Sequence, residues 1–293
     1  MSKKKVGFVG IVGRPNVGKS TLLNYLIGEK ISITSDKPQT TRNQILGIRN
    51  TKDAQIIFVD TPGIHKPKHA LGQYLDDQAI SAIKGIDVVI YMVDDVYKHA
   101  EHHVIKHFQE ASQKVLLVIN KIDLLKSRAS IDEIILSYVD VFDFHGYYPI
   151  SSLEGTNIEH LLNDLLELLE EDDVYYSVEQ TTTQSDFDRM SELIREKVLH
   201  HTKEEVPHSV AVVIDYALNK DGVYNLYASI IVERDSQKNI IIGKGGSMIK
   251  RIGTEARKDI NKTLQTKVHL ELWVKVIKNW RQKQTHLQGL GYD

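Results

Sequence analysis

"VGFVGIVGRPNVGKSTLLNYLIGEK", residues 6–30, sets the terms for the whole chain. An apolar run leads into "GRPNVGKS", 13–20, and "GKSTLLNYLIGEK" is a segment of helical length. The loop matches G-x-x-x-x-G-K-[ST] between a predicted strand and a predicted helix, which is the context such a motif requires. Backbone N–H groups of the loop and of the helix N-terminus suit a β-phosphate. Lys19 would neutralise β- and γ-phosphate oxygens, and Ser20 would bind Mg²⁺. Gly13, Arg14, Asn16, Val17, Gly18 and Thr21 complete the candidate cradle. A chance glycine turn would lack the flanking strand and helix.

Outward from this loop, residues 6–170 alternate short apolar runs with helical patterns. The later runs are "QIIFVD", "DVVIYMVD", "KVLLVIN" and "YYPIS". Nearly continuous Val, Ile and Leu fits parallel strands covered on both faces. The rhythm predicts a doubly wound α/β domain with its sites beyond the carboxyl ends of the strands.

Three further motifs fall at such ends. "NKID", 120–123, holds Asn120, Lys121 and Asp123. The Asp123 carboxylate can accept from the ring N–H and exocyclic amine of guanine. Adenine has no donor at those positions, and an unmet buried carboxylate costs several kcal/mol. "DTPG", 60–63, offers Asp60 to Mg²⁺ through water and the Gly63 N–H to a γ-phosphate. The polar "SDKPQTTRNQ" before it has a threonine that could reach Mg²⁺ only when a γ-phosphate is present, as in an order–disorder switch. "SSLEG", 151–155, with Ser151, Ser152 and Leu153, would close over the base.

The pattern changes after residue 172. Residues 173–186 read as a polar linker, and 187–293 as a small α+β domain. Its predicted order is a helix ("DRMSELIREKVLHH"), two strands joined by the turn "NKDG", a helix, a glycine loop, a basic helix and a last strand. The loop is "GKGG", Gly243, Lys244, Gly245 and Gly246. It cannot be a second phosphate loop, because no Ser or Thr follows its lysine. It fits the G-x-x-G of a KH domain, whose loop clamps the backbone of about four nucleotides. Lys250, Arg251, Arg257 and Lys258 would add charge along the helix behind it. The alternative is a corner between helices with glycines for steric reasons.

Together, "GRPNVGKST", "QTTR" and "DTPG" resemble the Era family of translation-factor-class GTPases, and "EARKDI" and "VHLELWVKV" are similar to the RNA-binding domain of that family. The resemblance implies a KH fold with an extra helix in front and GTP/GDP with Mg²⁺ as ligands. It further implies Thr41 as a Mg²⁺ ligand and Ser152 as a base contact. The implied partner is small-subunit ribosomal RNA near its 3′ end, and the implied task is ribosome assembly. Lys19, Asn16, Thr41 and Gly63 form the expected catalytic set, and Ser20, Thr41 and Asp60 the expected metal set. Ile64 stands where Ras-like enzymes place the glutamine that orients water. Asn16 resembles an asparagine that helps hold K⁺ in related GTPases, and such an ion could supply charge in place of an arginine finger. Arg14 and Arg42 are alternative charges, although each reads as a surface or loop residue.

Composition narrows the alternatives. The chain has 293 residues, 41% hydrophobic and 26% charged, with no cysteine and a net charge of −2. This is ordinary for a globular protein with two cores, and it excludes a disulfide framework. "MSKKKVGFVGIVG" mimics a secretory signal, but the run stops at Arg14 without a cleavage site. The expectation is a cytoplasmic monomer, with peripheral membrane association in reserve. Residues 239–283 carry 11 Lys and Arg against 3 Asp and Glu. That stripe could face nucleic acid, an anionic membrane, a protein partner or solvent alone. A metabolic ATPase or kinase conflicts with "NKID". "KHAEHHVIKHF" puts His99, His103 and His107 at i, i+4 spacing, which could bind zinc, though a solvent-facing helix is the expectation.

Overall fold

In the computed structural model, residues 3–64, 70–109, 113–220, 223–265 and 267–292 are described. The chain divides into two compact units. The first holds Met1–Ser32, Thr41–Pro67 and Leu75–Thr183, and the second Ile33–Thr40, Lys68–Tyr74 and Gln184–Asp293.

The first unit is built on β1 (Lys4–Gly13), β2 (Ile45–Asn50), β3 (Ala54–Asp60), β4 (Val88–Val93), β5 (Lys114–Ile119), β6 (Gly146–Pro149) and β7 (Glu170–Asp172). Its sheet runs β2-β3-β1-β4-β5-β6, with β7 beside β1. β3, β1, β4, β5 and β6 are parallel, as the apolar runs predict. β2 and β7 are antiparallel additions that the sequence pattern does not reveal.

Strand β4 shows why its run is unbroken. Val88, Ile90 and Met92 enter one core, while Val89, Tyr91 and Val93 enter the other. α1 (Lys19–Ile27) and α5 (Ile158–Leu168) cover the first face. α2 (Ala70–Ile83), α3 (His102–Gln109) and α4 (Arg128–Val139) contribute to the second. Register then assembles the site: Ile11 stands opposite Asp60, and Ile119 opposite Val93 and Pro149. The loops leaving β1, β3, β5 and β6 therefore meet at one edge.

The polar stretch after β7 is laid against the first unit as far as Thr183. The buried Gln55 amide donates to Tyr176 O at 2.8 Å and accepts from the Tyr175 and Tyr176 N–H groups. Ile48 N–H donates to Thr181 O at 2.8 Å, and the Thr182 hydroxyl to Leu46 O at 2.7 Å. These bonds cover the edge strand β2, whose backbone groups would otherwise be open to another chain.

The second unit contains α6 (Asp186–His201), β8 (Ala211–Lys220), β9 (Val223–Val232), α7 (Asp235–Ile242), α8 (Ser247–Thr263), β10 (Lys267–Val276) and α9 (Gln284–Gln288). Ser185 and Asp188 form a capping box at the start of α6. The sheet order is β10-β9-β8, with β10 parallel to β9. A parallel neighbour requires a crossover, and α7 and α8 supply it. "GKGG" sits in the middle of that crossover. Of the expected turn "NKDG", Asp221 and Gly222 lie outside the described residues. The core gathers Leu193, Ile194, Val198, Ile230, Ile252, Ala256 and Ile260. Beyond the predicted strands, Trp280 is buried and donates from its indole to Ser209 O at 3.0 Å. Among the described residues, no helix is long and apolar enough to cross a membrane.

Candidate functional site

The phosphate loop is held from three sides. Lys19 opens α1 and is 6% exposed; its ammonium donates to the carbonyls of Gly13 at 3.1 Å and Arg14 at 2.9 Å. Burial lowers its pKa to about 8, opposed by Asp60 and Asp94. Gly18 has φ 105, and a Cβ there would stand 2.2 Å from Asn120 Nδ2. Both the backbone and the space demand glycine. A Cβ on Gly63 would lie 2.6 Å from Pro15 N, so the "DTPG" loop packs directly on the phosphate loop.

Three oxygens of the expected metal set converge. Ser20 Oγ lies 2.9 Å from Thr41 Oγ1 and donates to Asp60 Oδ2 at 2.7 Å. Ser32 Oγ also donates to Asp60 Oδ2, at 3.2 Å. Asp60 Oδ1 is buried and accepts no hydrogen bond among the described residues. Desolvation pushes the Asp60 carboxyl up, opposed by Lys19 and then by the hydroxyls. A buried carboxylate oxygen beside two hydroxyls is a hard-oxygen set of the kind Mg²⁺ takes. The residues present fit that ion.

The base-side loops interlock through Asn120. Its Nδ2 donates to Val17 O at 2.8 Å, and its Oδ1 accepts from the Ser152 N–H and hydroxyl, each at 2.9 Å. Ser151 Oγ donates to Asp123 Oδ1 at 2.6 Å. Lys121 donates to Asn16 O at 2.7 Å and to Asp94 Oδ2 at 2.6 Å. Leu153 is 76% exposed. Ser152 is thus turned toward Asn120, while Ser151 and Asp123 present a shared polar edge. Thr21 lies in the first turn of α1.

One expectation needs correction and another is sharpened. Arg42 lies in the loop before β2, one of the two placements expected, and is buried there at 2% exposure. The histidines do not share one helix. His99 belongs to a separate 3₁₀ turn and stacks on His102 at 6.0 Å, whereas His103 and His107 lie in α3 and meet edge to face. No metal-holding group of His, Asp and Glu occurs among the described residues. Ile64 packs in the second core at 2% exposure, so it presents no group to water.

In the second unit, Gly243, Gly245 and Gly246 all have positive φ. A Cβ on Gly245 or Gly246 meets nothing within 4 Å, so the loop borders open space. Behind it, a groove of about 440 Å³ is lined by Ile249, Lys250, Gly253, Thr254, Arg257, Leu270 and Leu272. Lys250, Gly253, Thr254 and Arg257 follow i, i+3, i+4, i+7 and so share one face of α8. Arg251 and Lys258 stand off it, and Arg251 pairs with Glu255 at 3.1 Å. The structure therefore brings Lys250 and Arg257 together and leaves the other two outside the groove. Leu270 and Leu272 escaped sequence reasoning because the groove forms only where β10 packs on α8. The helical spacing from Lys250 could have found Thr254.

A family model described as "50S ribosome-binding GTPase" matches residues 8–121, and a KH-domain model matches 205–281. The chain is similar to Era solved with MgGDPNP and nucleotides 1506–1542 of 16S ribosomal RNA. That similarity has 37% identity and a TM-score of 0.95, and it covers 99% of both chains. It is also similar to a variant of Aquifex aeolicus Era bound to GDP·AlF4⁻. There the identity is 38% and the TM-score 0.93, over 98% of this chain and 99% of that one.

Proposed function

The chain belongs to the Era family of GTPases, and on that premise we propose that it is a GTP-hydrolysing switch. Its KH unit grips the single-stranded 3′ end of small-subunit ribosomal RNA during subunit assembly. The observation that carries the RNA half is the basic groove behind "GKGG", where Lys250 and Arg257 flank an apolar floor of Leu270 and Leu272. Charged rims suit phosphates, and an apolar floor suits bases splayed from a single strand. The domain boundaries we assign are 1–172, a linker at 173–186, and 187–293.

In the first unit, water attacks the γ-phosphorus and the bond to the β–γ bridging oxygen breaks, leaving GDP and phosphate. Lys19 and the loop N–H groups meet charge as it develops on the phosphates. Ser20, Thr41 and Asp60 would hold Mg²⁺, which supplies neutralisation of β- and γ-oxygens when bound. Asp123 selects guanine. Ile64 has no polar atom to orient water, so hydrolysis is slow or uses water held by backbone, a cation or a partner. K⁺ beside Asn16 is the charge we assign in place of an arginine finger.

The working species is a monomer in the cytoplasm, and the basic face of α8 serves RNA rather than a membrane surface. Crosslinking in cells followed by sequencing of the bound RNA tests this directly. Reads should concentrate at the 3′ end of small-subunit ribosomal RNA. Reads spread over unrelated RNAs, with the protein pelleting on anionic vesicles instead, would overturn the RNA assignment.

A further inference from the structure

Glu101 has no access to solvent. A carboxylate taken out of water costs several kcal/mol unless it is paired and hydrogen-bonded. Glu101 closes the 3₁₀ turn before α3, and two groups compensate it. The Tyr138 hydroxyl of α4 donates to Oε2, and Arg14 Nε stands 2.7 Å from Oε1 as a charge pair whose angle falls outside hydrogen-bond geometry. Burial pushes the carboxyl up, and Tyr138 and then Arg14 oppose it.

Arg14 is the second residue of the phosphate loop. Its guanidinium also reaches Asp94 Oδ1 at 3.4 Å, and the other Asp94 oxygen takes Lys121 at 2.6 Å. The Arg14 carbonyl, in turn, accepts from Lys19. A rigid buried anion is thus linked through one side chain to the backbone that cradles phosphate. Two carboxylates already offset the Arg14 charge, so this arginine is poorly suited to act as a finger on the γ-phosphate.

We propose that Glu101 is a positioning residue for GTP turnover: it holds the Arg14 side chain and thereby keeps the phosphate loop and Lys19 in binding geometry before nucleotide arrives. Buried ion pairs are weak evidence for stability as such. Their geometric constraint is what a preorganised loop uses. This inference rests on GTP being the nucleotide of the first unit.

The test is dissociation of fluorescent mant-GDP and mant-GTP, with KM and kcat for GTP. Glu101→Gln keeps the size and an acceptor for Tyr138 but removes the charge facing Arg14. Dissociation and KM should rise roughly tenfold, within the coupling that directly contacting residues show, with the larger part of the change in KM rather than kcat. Arg14→Gln should raise dissociation and KM at least as much. The double variant should be no worse than Arg14→Gln alone, because Glu101 acts through Arg14. Tyr138→Phe should lower Tm yet leave dissociation at the wild-type rate. Wild-type dissociation in folded Glu101→Gln, or additive effects in the double variant, would overturn the proposal. If Glu101→Gln fails to fold, wild-type dissociation in Arg14→Gln overturns it alone. A wild type that binds no mant-GDP would overturn the GTPase reading, and this inference with it.

Discussion

The two glycine loops of this protein use the same residues in opposite surroundings. In the first, Lys19 is buried, Gly18 touches Asn120 and Gly63 touches Pro15. In the second, Lys244 is exposed and Gly245 faces open space. Both need positive φ at glycine, so backbone chemistry does not separate them. Enclosure does. A closed cradle suits a compact, highly charged phosphate, whose interactions strengthen as water leaves. An open loop beside a groove suits a chain that must enter sideways and continue past it. The enclosed loop should therefore fail catastrophically on losing one group, whereas the open one should weaken in steps, one for each phosphate it ceases to hold.

Lys19→Ala should break the enclosed side. Loss of one preorganised donor to developing charge should cut single-turnover hydrolysis by about a hundredfold or more. RNA affinity should stay at the wild-type value, and a parallel fall in RNA binding would show that the two loops are not separate sites. The converse variant, Lys244→Asp with Gly245→Asp, should abolish RNA binding and keep GTP affinity. Two carboxylates would face the phosphates, and each phosphate no longer neutralised should flatten the salt dependence of log K by roughly 0.7. RNA affinity across a salt series, beside GTP affinity, reads both. RNA bound as tightly as by wild type would reduce "GKGG" to a corner between helices.

Asp123→Asn sharpens the enclosed side at the base. Preference should move from GTP toward XTP by roughly tenfold or more, the scale of an exchanged hydrogen bond to a charged group. Competition binding measures it, and an unchanged preference removes Asp123 from the base pocket. The smallest effect concerns the cation. Hydrolysis should be faster in potassium chloride than in sodium chloride at equal ionic strength, and Asn16→Ala should narrow the gap. Equal rates in both salts would remove K⁺ from the site.

Much of the first unit was legible because each motif carries its own local requirement. A strand, a glycine loop and a helix appear in order in residues 6–30, and the parallel strands announce themselves by two-sided burial. β2 and β7 were not legible. "ILGIRN" and "EED" carry no distinctive apolar period, and their pairing comes from neighbours far along the chain. The polar run after Asp172 reads as a spacer, yet buried Gln55 and the edge of β2 satisfy its backbone. The burial of Arg42 was hidden for the same reason, since a charged residue in a polar loop gives no sign that it will be covered.

By itself the sequence pointed to the classes of chemistry: a phosphate loop, a candidate guanine-selecting motif, a candidate carboxylate for Mg²⁺ and a G-x-x-G loop between helices. These are short-range patterns, and the residues that act are neighbours along the chain. Only the tertiary structure decided which charges share a surface. It turned Lys250 and Arg257 into one groove and left Arg251 paired with Glu255. It aligned Ile11 with Asp60, so that Ser20, Thr41 and Asp60 meet. It also buried Glu101 against Arg14, residues 87 positions apart in sequence. The physical reason is that Coulomb and desolvation energies depend on distance and water in three dimensions, and neither is written in the order of residues.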